Sequence, residues 1–447
     1  MVLVRLGMDR VYDWAWVEAE VGRTIEVWKA CGGRPAPEGR RYSLTEQRER
    51  EKAYDEGLRA VEREAKRARG LRARSQAGRD EIYDRVVAAF ARFSATALDL
   101  GDDAIDLLTD DFLPVGTQLG RWARQFDPTL SKADIIQASR NAWTACGLQP
   151  LLGERVRLTP AILGYSLLYP YSDNYLDREG VTREAKLRFS ERFRGRLRGE
   201  MAAAGDDREA AIWALVALIE EQYPRAVYPQ VFDCLLAIHR AQEESLAQVR
   251  SECSVEELLR VSCAKGGSSV VADACLAQPW LSAEESGFAF DWGVLLQLGD
   301  DVQDIREDLQ RGSVTLFSGA AARGERLDDL VRQLLNLSEA VSARMDRMPN
   351  GCAMLKGLLR MSWRSLILMA VAESHAFFSA EFLREAEGWS AFRFGFLRER
   401  RDRLAGRQGL FAVLFDVFLE AGEGEDAGLP RPARRVGELV VASLLSH

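Results

Sequence analysis

One hydrophobic period runs through almost the whole chain. Apolar residues recur at steps of three and four, and no stretch alternates apolar and polar as a half-buried strand would. Only 13 prolines interrupt the 447 residues. Such a chain can bury its apolar stripes only by packing helix on helix, so an all-α fold is expected. The clearest helical segments are Ile82–Asp99, Ala210–Tyr223, Val227–Leu246, Phe288–Gln310, Leu327–Met345 and Gly351–Phe378. Hydrophobic residues make up 47% of the chain, enough for one large bundle with a continuous core.

The first part of the chain reads differently. Residues 1–31 have the pattern of an amphipathic helix carrying Trp14, Trp16 and Trp28, and the breaker-rich "GGRPAPEGRRYS" (Gly32–Ser43) follows as a linker. Leu44–Arg74 is a charged helix with few apolar positions. Acids and bases are interspersed along it, which suits a solvated arm or a packing helix better than a nucleic-acid contact. We therefore expect an N-terminal helical extension and linker over 1–79 and one helical domain over 80–447.

The net charge of −8 argues against a general nucleic-acid partner. The seven cysteines are scattered and odd in number, with no Cys-x-x-Cys, and predict reduced, mostly buried thiols in the cytoplasm. The three histidines, His239, His375 and His447, have no zinc-ligand spacing. The start of the chain lacks the apolar core of a signal peptide, and no stretch is long enough to span a membrane.

The most unusual stretch is "LQLGDDVQDIREDLQRG" (Leu296–Gly312). Asp300, Asp304 and Asp308 recur there at i, i+4 and i+8, stacked on one face of a single helix Phe288–Gln310. Like charges so placed weaken a helix by about 0.2–0.5 kcal/mol per pair, and burial costs far more unless cations answer them. An acidic helix end is ordinarily a solvated face. Here the preceding "FAFDWGVLLQL" is apolar on nearly every side, which makes the helix central. A second pair, Asp173 and Asp177, ends the apolar run "LTPAILGYSLLYPYSDNYLD", with Asn174 between them, Tyr169 on the same face and Pro170 as a source of a kink. Two such acid-terminated helices facing one another would offer oxygen ligands only, the chemistry of Mg²⁺.

These residues carry a family resemblance. "LQLGDDVQD" (Leu296–Asp304) resembles the second aspartate-rich motif of trans-prenyl diphosphate synthases, with Leu296 in place of the leading Phe and Gln297 kept. "REDLQRG" (Arg306–Gly312) resembles a motif of squalene and phytoene synthases. "DNYLD" (Asp173–Asp177) is similar to the first aspartate-rich motif, with Asn174 where elongating synthases carry a second Asp. All belong to the class I isoprenoid synthases, and the class IB large-terpene cyclases are the most similar in pattern. The Arg-Arg-Gly that follows the first motif in elongating synthases is missing.

The resemblance implies a helical bundle of isoprenoid synthase type over about Asp80 to Phe418, holding three Mg²⁺ and a prenyl diphosphate. It implies metal ligands at Asp173, Asn174, Asp177, Asp300, Asp304 and Asp308, with Asp173, Asp177 and Asp304 essential for ionisation. Lys265, Arg192 and Arg311 would contact diphosphate, and Gln297 and Tyr169 would help bind substrate. Gly266 and Gly267 in "CAKGGSSVVADACL" would break a helix beside the diphosphate; the plainer reading is a close helix–helix contact. Tyr165, Tyr169 and Trp292 are candidates for the aromatic wall of a carbocation pocket. The expected activity is that of a terpene synthase. Its alternatives are a prenyltransferase joining two prenyl diphosphates and a non-catalytic helical scaffold. The expected partners are the prenyl diphosphate, a membrane surface touched while apolar product leaves, and a second copy in a homodimer.

Overall fold

The computed structural model describes residues 12–70, 75–176, 180–245, 253–406, 408–421 and 429–430. All regular structure among them is helical. In chain order the helices are α1 (Trp14–Cys31), α2 (Leu44–Ala68), α3 (Gln76–Ala97), α4 (Asp102–Asp106), α5 (Leu113–Phe126), α6 (Lys132–Leu151) and α7 (Pro160–Leu176). Next come α8 (Arg183–Leu197), α9 (Asp207–Gln222), α10 (Pro229–Ser245), α11 (Val255–Ala277), α12 (Ala283–Gln303) and α13 (Ile305–Arg311). The last are α14 (Leu316–Ala322), α15 (Asp328–Arg347), α16 (Ala353–Glu373), α17 (Ala380–Glu387), α18 (Phe394–Ala405) and α19 (Gln408–Glu420). None of the described helices is long and apolar enough to cross a membrane. All seven cysteines are unbridged and five are buried, as the scattered spacing predicted.

Several helix starts are encoded locally. Ser43–Glu46, Ser254–Glu257 and Ser282–Glu285 form reciprocal caps at α2, α11 and α12. In each, the serine oxygen accepts the third N–H at 3.2 Å and the glutamate accepts the serine N–H at 2.7 Å. The two helices at the centre of the molecule, α11 and α12, therefore both begin on a defined residue.

α11 and α12 cross at their glycines. A Cβ on Gly293 would stand 2.0 Å from the Gly266 carbonyl oxygen, and one on Gly266 would stand 2.4 Å from that of Gly293. A Cβ on Gly267 would lie 2.5 Å from the Phe290 ring. The expected helix break at Gly266–Gly267 does not occur, because α11 is continuous from Val255 to Ala277. The missing side chains serve backbone approach instead. The break falls in the acidic helix: α12 ends at Gln303, Asp304 takes φ −91° and ψ 5°, and α13 begins at Ile305. The ladder survives this bend, with Asp304 N–H on Asp300 O and Asp308 N–H on Asp304 O, both at 2.9 Å. Gly312, at φ +69°, closes α13 in the left-handed region that suits glycine. Pro170 sits inside α7 without ending it.

The N-terminal segment is not an appendage. α1 buries Val17, Val21, Ile25 and Trp28 in the main core, against α11 and α15. It is pinned by Asp291 of α12, buried where it accepts from Arg23 (2.6 Å), Thr24 (3.0 Å) and Arg344 (2.7 Å). The expected boundary after residue 79 falls inside α3. The charged α2 is a packing helix. It shares a small apolar cluster with α3 and α19 and meets α18 through Asp55–Arg400 and Glu62–Arg403 pairs. Its charge pattern is thus answered by the "RERRDR" of α18 (Arg398–Arg403).

Candidate active site

A cavity of about 300 Å³ lies among α6, α7, α8, α10, α11 and α12. Each helix turns a short run of residues toward it. Tyr165, Leu168 and Ser172 come from α7, at one-turn spacing, and Phe193 and Leu197 from α8. α10 contributes Leu235, Ile238, His239 and Gln242, and α11 contributes Lys265 and Ser269. Gln297 and Asp300 of α12 and Asp304 at the bend form the acidic end, and Asn141 lines the cavity from α6. The lining thus joins three charged side chains, Lys265, Asp300 and Asp304, to an apolar and aromatic set, Tyr165, Leu168, Phe193, Leu197, Leu235 and Ile238, with neutral polar groups between them.

The carboxyl groups at the acidic end are all held above the ordinary carboxylate range. Burial pushes Asp300 up to about 7, helped by the charges of Asp301 and Asp304, with Lys265 and Arg140 acting against it. Asp300 lines the cavity and keeps an exposed surface. Asp304 rises through burial and its neighbour Glu307, opposed by Arg311. Asp308 rises to about 6 through burial and the charges of Asp301 and Asp304, and its carboxylate makes a long 3.4 Å contact with the Thr315 hydroxyl. Asp301 turns inward and accepts from Ser262 (2.8 Å) and Gln297 (2.9 Å). It is a structural acid that fixes α12 against α11 and orients Gln297.

The sequence-derived site residues are thus partly assembled. Asp300, Asp304, Lys265 and Gln297 share the cavity, and Asp308 lies past the bend, near enough to feel Asp304. Lys265 makes no ion pair among the described residues, although two carboxylates share its cavity. Arg311 is exposed and pairs with Glu307 at 2.6 Å. Arg192 is not a cavity residue. Its guanidinium is forked on Glu209 at 2.8 and 2.7 Å and also donates to Ala203 O, which leaves it no role at the acidic end. Gly266 and Gly267 are buried in the helix crossing rather than offered to a ligand. Trp292 is core, packed against Trp363 and Phe288. Asp173 and Asn174 fall in the last turn of α7, one and two residues after the cavity-lining Ser172. Their side chains and that of Tyr169 lie outside the described residues, as does Asp177 altogether.

Two cavity residues, Asn141 and His239, and a buried partner of Asn141, Asp273, escaped the sequence reading. Asn141 donates to Asp273 of α11 and to Ser166, each at 3.2 Å. Asp273 is fully buried with one oxygen unpaired among the described residues, and burial drives its carboxyl well above the usual range, with the Asn141 hydrogen bond acting against it. Asp273 is a lone acid in the apolar run "VVADACLA", a signal by which it could have been found, whereas Asn141 follows Arg140 and His239 precedes Arg240, so neither stands out.

Among the described residues no group of three or more His, Cys, Asp or Glu side chains converges on one metal position. The acidic end nonetheless has the donor chemistry of a hard cation: oxygen only, with carboxylates lifted by crowding that a cation would relieve. No protein-family model, curated protein or solved structure matches the chain.

Proposed function

We propose that the chain is a Mg²⁺-dependent class I terpene synthase, a helical bundle of isoprenoid synthase type that ionises and cyclises a prenyl diphosphate. The observation that carries this reading is one cavity that joins Asp300, Asp304 and Lys265 to the apolar and aromatic side chains Tyr165, Leu168, Phe193, Leu197, Leu235 and Ile238. The aspartate-rich motif resemblance supplies the substrate class. Asp300 and Asp304 would hold Mg²⁺, with Asp308, Asp173, Asn174 and Asp177 assigned to the same task by motif. Bound Mg²⁺ supplies Lewis-acid neutralisation of the leaving diphosphate.

The chain's own residues do the rest. Lys265 brings three N–H donors to the acidic end, free to meet diphosphate oxygens. Gln297, held by Asp301, keeps an amide at the same place. Leu168, Phe193, Leu197, Leu235 and Ile238 receive the hydrocarbon and exclude water from the cation left behind. The aromatic faces of Phe193 and Tyr165 can stabilise positive charge nearby.

The test supplies prenyl diphosphates of increasing chain length, one at a time, with Mg²⁺. Diphosphate release with a hydrocarbon or alcohol product is expected, and Asp304→Ala should abolish it while thermal unfolding stays cooperative. A longer diphosphate as product would replace this reading by chain elongation, and no turnover on any substrate would end it.

A further inference from the structure

His239, a cavity-lining residue, belongs to a polar cluster that leaving-group chemistry does not use. His239 of α10 is buried there, with only 5% of its surface exposed, among Phe193, Leu197, Leu235 and Ile238. Its Nε2 lies 3.0 Å from the Ser190 carbonyl oxygen and 3.1 Å from Ser190 Oγ. A carbonyl only accepts, so Nε2 carries the hydrogen. The Ser190 hydroxyl donates its own proton to Glu243, which also takes the Arg194 guanidinium, so Oγ is likewise an acceptor toward the ring. The Ser190 carbonyl thus fixes the tautomer, with the ring hydrogen on Nε2. Nδ1 is left with its lone pair and no protein partner among the described residues.

The ring is also prepared for a proton. Burial holds the imidazole below its ordinary value, so it is neutral at physiological pH. Once protonated it would lie with Nε2 3.7 Å from Glu243 Oε1, a carboxylate already fixed in place. The charged groups facing the ring are Glu243 of α10 and Arg194 of α8; Asp300, Asp304 and Lys265 line the same cavity.

Resting on the terpene synthase reading, we propose that His239 is the base that ends the reaction by removing a proton from the cyclised carbocation. The bond between carbon and diphosphate oxygen breaks with both electrons leaving on diphosphate. A C–H bond next to the cationic carbon then breaks, its electron pair becomes the alkene, and the proton goes to Nδ1. The imidazolium returns that proton to diphosphate or water as product departs.

His239→Gln keeps an amide donor for Ser190 but has no base, and His239→Phe removes both. The expected result in His239→Gln is diphosphate release near the wild-type rate, with alkene formation down by about a hundredfold, the low end of what a positioned base supplies, and alcohol from water capture in its place. Unchanged alkene output at unchanged diphosphate release would overturn the role of His239 alone. A wild-type protein that releases no diphosphate would overturn the function and this inference together. Nitrogen-15 NMR of the metal-free protein reads the tautomer without any turnover. With three histidines in the chain, the His239 signals are assigned by their loss in the variant. A neutral ring with its proton on Nε2 is expected, and a proton on Nδ1 at neutral pH would overturn the assignment.

Discussion

Asp300 shows what crowding does to a single carboxyl. Unfolded, it titrates near the ordinary aspartate value of about 3.9; folded, it titrates at about 7. Between those values the folded state holds a proton that the unfolded chain has lost. Stability must then fall as pH rises across that window, because the unfolded state binds fewer protons. Asp308, at about 6, adds to the same slope. We predict that melting temperature in a chelator falls as pH is raised from about 4 to about 7, and that Asp300→Asn flattens this dependence. Fluorimetric melting curves check it; an equal slope in the variant would show that other groups are responsible. A cation bound there, as proposed, would relieve the same crowding, so stability and binding would draw on one set of charges.

At the scale of elements, the α11–α12 crossing decides where the cavity sits. Lys265 and Ser269 reach the cavity on one side of this crossing, and Gln297 and Asp300 on the other. Gly293 lets the two backbones touch. A Cβ there meets a carbonyl oxygen, which cannot swing aside as a side chain can. Gly293→Ala should therefore cost about 3 kcal/mol or more, the upper part of the range for overpacking. Gly299, further along the same helix, is open: a Cβ there would meet nothing within 4 Å. Gly299→Ala should be neutral or stabilising by about 0.5–1 kcal/mol, the helix-propensity gain. Urea unfolding of both variants tests the contrast, and equal effects would remove the crossing as the cause.

For the whole molecule, the prediction concerns α1. Its motif-free sequence suggested a segment outside the working domain, yet it closes the core over α11 and α15. Full burial of an apolar side chain is worth about 1.5–3 kcal/mol. Losing Val17, Val21, Ile25 and Trp28 together approaches the entire margin of a domain, about 5–15 kcal/mol. Deletion would also leave Asp291 without Arg23 and Thr24. A chain beginning at Ser43 should lose cooperative thermal unfolding by circular dichroism. A sharp transition at the wild-type temperature would restore α1 to the status of an extension.

What the sequence determined by itself was helix identity, the all-helical class and the acidic end of α12, because helical period and reciprocal caps are local signals. Asp300, Asp304, Lys265 and Gln297 were legible because their polarity conflicts with the apolar runs around them. The tertiary structure decided the rest. The glycine pair of α11 could have served a ligand or a neighbouring helix, and only Gly293, far away in the chain, resolves that choice. Arg192 looked free until Glu209 folded against it. Asp301 and Asp300 are adjacent in sequence, but a turn of about 100° per residue sends one to Ser262 and the other to the cavity. His239 gains meaning only from Ser190 on another helix, since the proton on its ring is placed by a carbonyl that no spacing in the sequence reveals.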